Sequence, residues 1–225
     1  MISLRENTAM IDREWKMIID HLKLSVTESF HNYHEDELEK IHHNSDVWTN
    51  IPIMSPRDMI VISNLCKKYA PGKNNIVMEV GTANGGSAML MSFSTQAKII
   101  GFDIFTQYND TAGVSSFNRN NAESTATNHG FADRFSLFTG DVEAMNLRIK
   151  DSSIDLVFID ACHLYEHVKK DIAYCWPKIR PGGVLCGHDY CGNHPGVMQA
   201  VNDWSEGFRV NVGFGSSVFY AEKDQ

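Results

Sequence analysis

Apolar and polar positions fall into two regimes along the chain. Met10, Ile11, Trp15, Ile18, Ile19 and Leu22 recur at helical spacing and predict an amphipathic helix from about Thr8 to Lys23. A second, polar helix is expected over Ser29 to His42. The pattern changes at Ser55-Pro56-Arg57-Asp58, which reads as an N-cap with proline at the first helical position. Met59, Ile62, Leu65 and Cys66 then carry a helical stripe that Pro71-Gly72 ends. Short apolar runs predict buried strands at Ile76–Val80, Lys98–Asp103, Phe135–Thr139, Ile154–Ile159 and Val184–Cys186. Helices are expected at Ser87–Ser92, Phe117–Asn128, Tyr165–Trp176 and Gly196–Trp204, and two last strands near Arg209–Val212 and Ser217–Ala221. Asn109, Asp110 and Gly113 predict a loop, and Arg180-Pro181-Gly182-Gly183 a turn. Strands alternating with helices mean an α/β fold, a parallel sheet with helices on both faces.

The 225 residues suffice for one large domain, or one domain with an appendage. No Gly/Ser/Pro-rich linker separates the two regimes. Residues 1–54 are therefore read as a helical appendage that covers the site or joins protomers in a homo-oligomer, and 55–225 as the main domain. A formal charge of −8 gives no basic footprint for nucleic acid. No apolar run reaches the ~20 residues of a membrane span, and the N-terminus shows no secretory leader. The five cysteines (66, 162, 175, 186 and 191) form no C-x-x-C pair and read as reduced thiols of a cytoplasmic protein. His31, His34, His42 and His43 lack a carboxylate or cysteine at ligand spacing and read as a solvated helical face.

The chemistry begins at Ile76-Val-Met-Glu79-Val-Gly81-Thr82-Ala-Asn-Gly85-Gly86-Ser87. A buried strand here breaks into glycines that tolerate positive φ or a close ligand, ahead of a helix with free N–H groups. Pyrophosphate loops follow a G-x-G-x-x-G spacing instead. Glu79 repels phosphate and suits a cation. Asp103 ends the second strand at a distance from Glu79 typical of an acid that binds ribose hydroxyls. With Asp141, Asp160 and Asp189, five acids stand at strand ends, where open α/β sheets bind their ligands. Such crowding costs stability unless cations offset it, in the cofactor or as a metal.

These motifs, with Phe158-Ile-Asp160-Ala-Cys-His163-x-Tyr165-Glu166-x-Val168-x-x-Asp171 and Pro181-Gly-Gly-x-x-x-x-His188-Asp189-Tyr190, resemble one family. It is the class I S-adenosylmethionine-dependent methyltransferases, in the group of macrocin O-methyltransferase-like and cephalosporin-hydroxylase-like proteins. Catechol O-methyltransferase is a more distant relative. The resemblance spans about residues 55 to 221 and includes Pro195-Gly196-Val197 and Ala200-Val201. It implies a Rossmann-like, seven-stranded, mostly parallel sheet with its last strand antiparallel. It places Glu79, Gly81, Thr82, Gly85 and Ser87 at the methionine part of the cofactor, Asp103 at the ribose, and Asp141 at the adenine edge. Asp160 would lie by the transferred methyl and share a divalent cation, Mg²⁺ or Mn²⁺, with Asp189 and His188. Macrocin-type relatives carry Asp-Asp-Tyr where this chain has His188-Asp189-Tyr190, which leaves open whether His188 binds metal or only hydrogen-bonds a carboxylate.

His163 has two readings: general base for a substrate hydroxyl, or cap of the next helix and orienter of Asp160. His167 is expected to face solvent. The resulting expectation is metal-assisted O-methylation of a hydroxylated small molecule or sugar, with no nucleic-acid or membrane partner. The alternatives are an NAD(P)- or nucleotide-sugar-dependent enzyme on a similar sheet, and a cofactor-binding protein without transferase activity.

Overall fold

The helical stripe that starts after Ser55 forms α1, Pro56–Tyr69. Ser55 and Asp58 make a reciprocal capping box, each side chain accepting from the other's backbone N–H. The structure, a computed structural model, describes residues 54–224 except 106, 111–112, 117–118 and 206–208. The two helices expected near the N-terminus, with their histidines, lie outside the described residues. After α1 come β1 (Ile76–Val80), α2 (Gly86–Ser94), β2 (Lys98–Asp103), β3 (Gln107–Asp110), β4 (Gly113–Ser116) and α3 (Arg119–Asn128). The second half holds β5 (Phe135–Thr139), α4 (Val142–Asn146), β6 (Ile154–Ile159), α5 (Tyr165–Cys175), β7 (Ile179–Gly187), α6 (Pro195–Trp204), β8 (Asn211–Val212) and β9 (Phe219–Glu222).

Seven strands form one sheet in the order β5-β2-β1-β6-β7-β9-β8. The pairs β1·β2, β1·β6, β2·β5 and β6·β7 are parallel, and β9 runs antiparallel to both β7 and β8. The chain builds outward from β1 to one side, then returns to lay β6 and β7 on the other. The strand order thus reverses beside β1, and the crevice at the carboxyl ends of β1, β2 and β6 is where such a sheet takes a ligand.

Both faces of the sheet are buried, which is why its strands read as continuous apolar runs. Val77, Leu156 and Phe158 point to one core with Met59, Ile62, Met89 and Leu90 from α1 and α2. Met78, Val157 and Ile159 point to the other, with Ile172 and Val197 from α5 and α6. Cys66, Cys175 and Cys186 are buried, and all five cysteines are free thiols. Among the described residues no helix is long and apolar enough to cross a membrane.

Two local expectations are corrected. Asn109, Asp110 and Gly113 belong to a hairpin, β3 paired with β4 from Gln107↔Ser116 to Asp110↔Gly113. The hairpin pairs only with itself, outside the main sheet, so it lacks the apolar run that marks the other strands. Arg180-Pro181-Gly182-Gly183 lies inside β7, not in a turn before it. The register jumps there, Ile154 facing Ile179 but Leu156 facing Val184, and Gly182 takes φ 71°. The turn chemistry is real, and the strand accommodates it as a bulge.

Candidate active site

The loop after β1 is moulded to the ends of its two neighbours. Gly81 has φ 93°, and a Cβ there would overlap the backbone carbonyl of Asp160 at the end of β6. Its N–H donates to the Phe102 carbonyl of β2 at 2.8 Å. Thr82 is buried over Gly101, where a Cβ would meet its hydroxyl at 2.5 Å. Ala83 adopts φ 49°, uncommon for a residue with a Cβ, and its N–H donates to Asp103 Oδ2 at 2.7 Å. The other oxygen of Asp103 accepts from Phe105 N at 2.7 Å. Burial raises the Asp103 pKa, and these backbone bonds oppose the rise. Gly85, at φ 85°, forms the N-cap of α2 without a side-chain bond.

Glu79 is fully buried beneath this loop and accepts a hydrogen bond from the Ser87 hydroxyl on α2. Burial pushes its carboxyl up to about 8; Ser87 opposes the shift, and the charges of Asp160 and Asp103 add to it. Oε2 of Glu79 is a buried oxygen with no well-formed hydrogen bond, Thr82 lying beside it.

A second constellation occupies the ends of β6 and β7. His188 is buried, with Nε2 3.2 Å from Asp58 Oδ2. Its Nδ1 lies 3.3 Å from Asp189 Oδ1 and 3.6 Å from Asp160 Oδ1. Burial alone would lower the His188 pKa, but Asp160, Asp189 and Asp58 together push it up to about 12. These carboxylates favour the charged form of His188, which puts one cation of the chain's own among the strand-end acids. Asp189 holds His163 as well, Oδ2 to Nε2 at 2.9 Å, and its Oδ1 stands 3.6 Å from His194 Nε2. Burial would raise the Asp189 pKa, yet His163 and His188 hold it well below the usual carboxylate range. The turn is tight. Gly187 leaves no room for a Cβ against Phe219, and Asp189 follows with φ 60°. Two sets of side chains bring ligand atoms within 4.8 Å of one another: Asp160, His188 and Asp189, and His163, Asp189 and His194.

Four of the five strand-end acids are thus linked, Glu79 feeling Asp103 and Asp160, and Asp160 reaching Asp189 through His188. Asp141 is engaged elsewhere. Its Oδ1 caps α4 by accepting from Glu143 N (3.1 Å) and Ala144 N (3.2 Å), and its Oδ2 lies 3.4 Å from Lys170 Nζ. His163 does not cap α5, whose N-cap is Leu164 without a side-chain bond. His167 and Glu166 are exposed, and the Tyr165 hydroxyl donates to Asp203 at 2.9 Å. Sequence reasoning missed Asp58, His194 and Ala83. Asp58 left only a capping signal, and His194 none beyond its place before Pro195.

The likeness to known proteins agrees with this geometry. A family profile described as a methyltransferase domain matches residues 78–190, half of the chain. No curated protein sequence matches. Among solved structures, the O-methyltransferase NovP is 15% identical, covers 97% of this chain and 100% of its own, and has a TM-score of 0.67. The O-methyltransferase TomG from Streptomyces achromogenes, described in complex with SAM, is 14% identical, covers 77% of this chain and 82% of its own, and scores 0.54. A precorrin 8w decarboxylase from Methanobacterium thermoautotrophicum is 18% identical, covers 72% and 88%, and scores 0.51. At these identities the likeness shows the fold, while the profile match shows the family. The chain belongs to the class I methyltransferase family.

Proposed function

We propose that the protein transfers a methyl group from S-adenosylmethionine to an oxygen of a hydroxylated small molecule or sugar. The observation that carries the reading is the Ala83–Asp103 hydrogen bond, which pins the opened glycine loop to the acid at the end of β2. The residues fit the cofactor on this structure's own terms. Gly81 and Ala83 are held in left-handed conformations that fold the loop against the end of β2, and Glu79 keeps a buried oxygen without a well-formed bond. Glu79 and the loop from Gly81 through Thr82 and Gly85 to Ser87 would hold the methionine end, and Asp103 the ribose hydroxyls. S-adenosylmethionine supplies an electrophilic methyl group on a positively charged sulfur.

The acceptor side is read from the second constellation. His163, its ring oriented by Asp189 at 2.9 Å from Nε2, is the base that takes a proton from the acceptor hydroxyl. Asp189 then stabilises the imidazolium that forms. Asp160, its backbone carbonyl against Gly81, would line the crevice between the loop and the acceptor. Asp160 and Asp189 would hold a divalent cation, Mg²⁺ or Mn²⁺, through their carboxylate oxygens, and His188, whose Nδ1 faces both, would join as a ligand to Mn²⁺ only by giving up its Nδ1 proton. Such a cation, when bound, lowers the pKa of an acceptor hydroxyl. The test is transfer of labelled methyl from S-adenosylmethionine to a panel of sugars and hydroxylated metabolites, with and without Mg²⁺ or Mn²⁺. Labelling of an acceptor oxygen supports the reading; label on nitrogen or carbon alone contradicts O-methylation.

A further inference from the structure

His194 has no part in the methyl-transfer reading, yet its imidazole is held beside His163 and Asp189. The three side chains come from two connections: His163 from the loop after β6, and Asp189 and His194 from the two ends of the segment between β7 and α6. The two imidazoles direct Nε2 at different oxygens of one carboxylate, at 2.9 Å for His163 and 3.6 Å for His194. Their ring centroids are 4.2 Å apart with the planes tilted by 53°. A structural His–Asp pair needs only one imidazole.

The backbone builds this arrangement. A Cβ on Gly196 would meet the His163 carbonyl at 2.5 Å and Tyr165 N at 2.8 Å, so the start of α6 lies directly against the His163 loop. Cys191 N donates to the Asp189 carbonyl (2.8 Å) and His194 N to the Cys191 carbonyl (3.0 Å), folding the connection back on itself. Asp189 is held at φ 60°, a conformation that persists in a non-glycine residue only when its surroundings impose it. All three side chains remain partly exposed, so an ion from solvent can reach them.

Two imidazoles and a carboxylate are a borderline donor set, suited to Zn²⁺, Fe²⁺ or Co²⁺ and poorly matched to Mg²⁺, which demands oxygen ligands. We propose that His163, Asp189 and His194 bind one divalent transition-metal ion of the Zn²⁺ class, at a site that shares only Asp189 with the group around Asp160. The ion replaces the proton between His163 Nε2 and Asp189. A His163 bound through Nε2 carries its remaining proton on Nδ1 and has no lone pair left to accept another. Filling the site therefore silences His163 as a base. That consequence rests on the methyl-transfer reading, whereas metal uptake does not.

Co²⁺, a visible probe for a Zn²⁺ site, separates the outcomes in the full chain. The wild-type protein should take up one Co²⁺ with d–d absorption of a nitrogen- and oxygen-ligated ion, displaced by Zn²⁺ and not by millimolar Mg²⁺. His194→Ala and the bulkier His194→Gln, shown to be folded by their melting curves, should bind at least about tenfold more weakly. Asp160→Asn should keep the absorption. No Co²⁺ uptake by the wild type, uptake indifferent to both His194 variants, or uptake lost in Asp160→Asn would overturn the site. Absence of methyl transfer, with uptake intact, would overturn only the enzymatic reading.

Discussion

Asp58 Oδ2 lies 3.2 Å from His188 Nε2, so a carboxylate in the first turn of α1 fixes an imidazole just past β7. The same oxygen accepts from Ser55 N (2.9 Å) and Ser55 Oγ (2.6 Å). The other accepts from Ser216 Oγ (2.7 Å) and Ser217 N (2.8 Å), just before β9. One buried carboxylate therefore caps a helix, ties down the approach to the antiparallel strand and holds the charged His188 against Asp160 and Asp189.

Removing that charge should be costly. Asp58→Asn keeps the volume but strands a buried imidazolium, and breaking such a pair costs roughly 3–5 kcal/mol. Burial works against the charged form of Asp58, but His188, Ser55 and Ser216 hold its pKa well below the usual carboxylate range. Its stabilising contribution is thus complete above about pH 4 and fades as pH falls further. Denaturant titration should show a lower midpoint for the variant at neutral pH and a smaller difference in strong acid. Equal midpoints at pH 7 would contradict the role.

Glu79 makes cofactor affinity depend on pH. Its carboxyl is raised to about 8, chiefly by burial, so below that pH the neutral form is favoured in the absence of a cation. A cationic ligand favours the ionised form, so binding expels a proton and affinity should rise with pH until about 8, then level. Calorimetry with S-adenosylmethionine should show this slope in the wild type and lose it in Glu79→Gln. A flat wild-type profile between about pH 6 and 8 would place the cation away from Glu79.

The residues most legible in the sequence are those whose chemistry is local. Glycines after an apolar run, Asp103 at the next strand end and Ser55 before Pro56 each carry their signal within a few positions, and the structure uses Ser55 as the cap it resembles. The sheet was legible because β1, β6 and β7 are buried on both faces, while the hairpin β3–β4 lies outside that core. What the sequence hides is pairing across long separations. Asp58 looks like a capping residue and is also the partner of His188. The five acids suggested a cation, and that His188 favours its charged form among them could be recognised only once three carboxylates were seen around it. Asp141, a strand-end acid by position, also caps α4 and faces Lys170, contacts that its position did not announce.

Asp171 on α5 should be a stability penalty at neutral pH. Burial pushes its carboxyl up to about 7, Lys170 opposing and Asp141 adding to the shift. The folded chain then binds this proton more tightly than the unfolded chain, so its contribution weakens as pH rises from about 4 through 7. Asp171→Asn should flatten that decline and raise stability at pH 8, by at most about 4 kcal/mol. Urea titrations at pH 5 and pH 8 measure both, and a variant no more stable than wild type at pH 8 would contradict the assignment.

Metal removal and the base separate on one acceptor that turns over. EDTA should abolish turnover, Mg²⁺ or Mn²⁺ should restore it, and Asp160→Asn should lose that rescue. His163→Ala should cost about 10²–10⁴ in kcat while S-adenosylhomocysteine affinity is kept. Full activity in EDTA would contradict the metal, and an active His163→Ala would contradict the base.

The most direct measurement is calorimetric binding of S-adenosylhomocysteine, compared with NAD⁺, to the wild type and Asp103→Ala. The expected result is binding of S-adenosylhomocysteine and none of NAD⁺, with a loss of about 1.5–3 kcal/mol in the variant, the scale of a charged hydrogen-bond acceptor. A folded Asp103→Ala that binds as tightly as wild type, or a wild type that binds NAD⁺ and not S-adenosylhomocysteine, would contradict methyl transfer at this site.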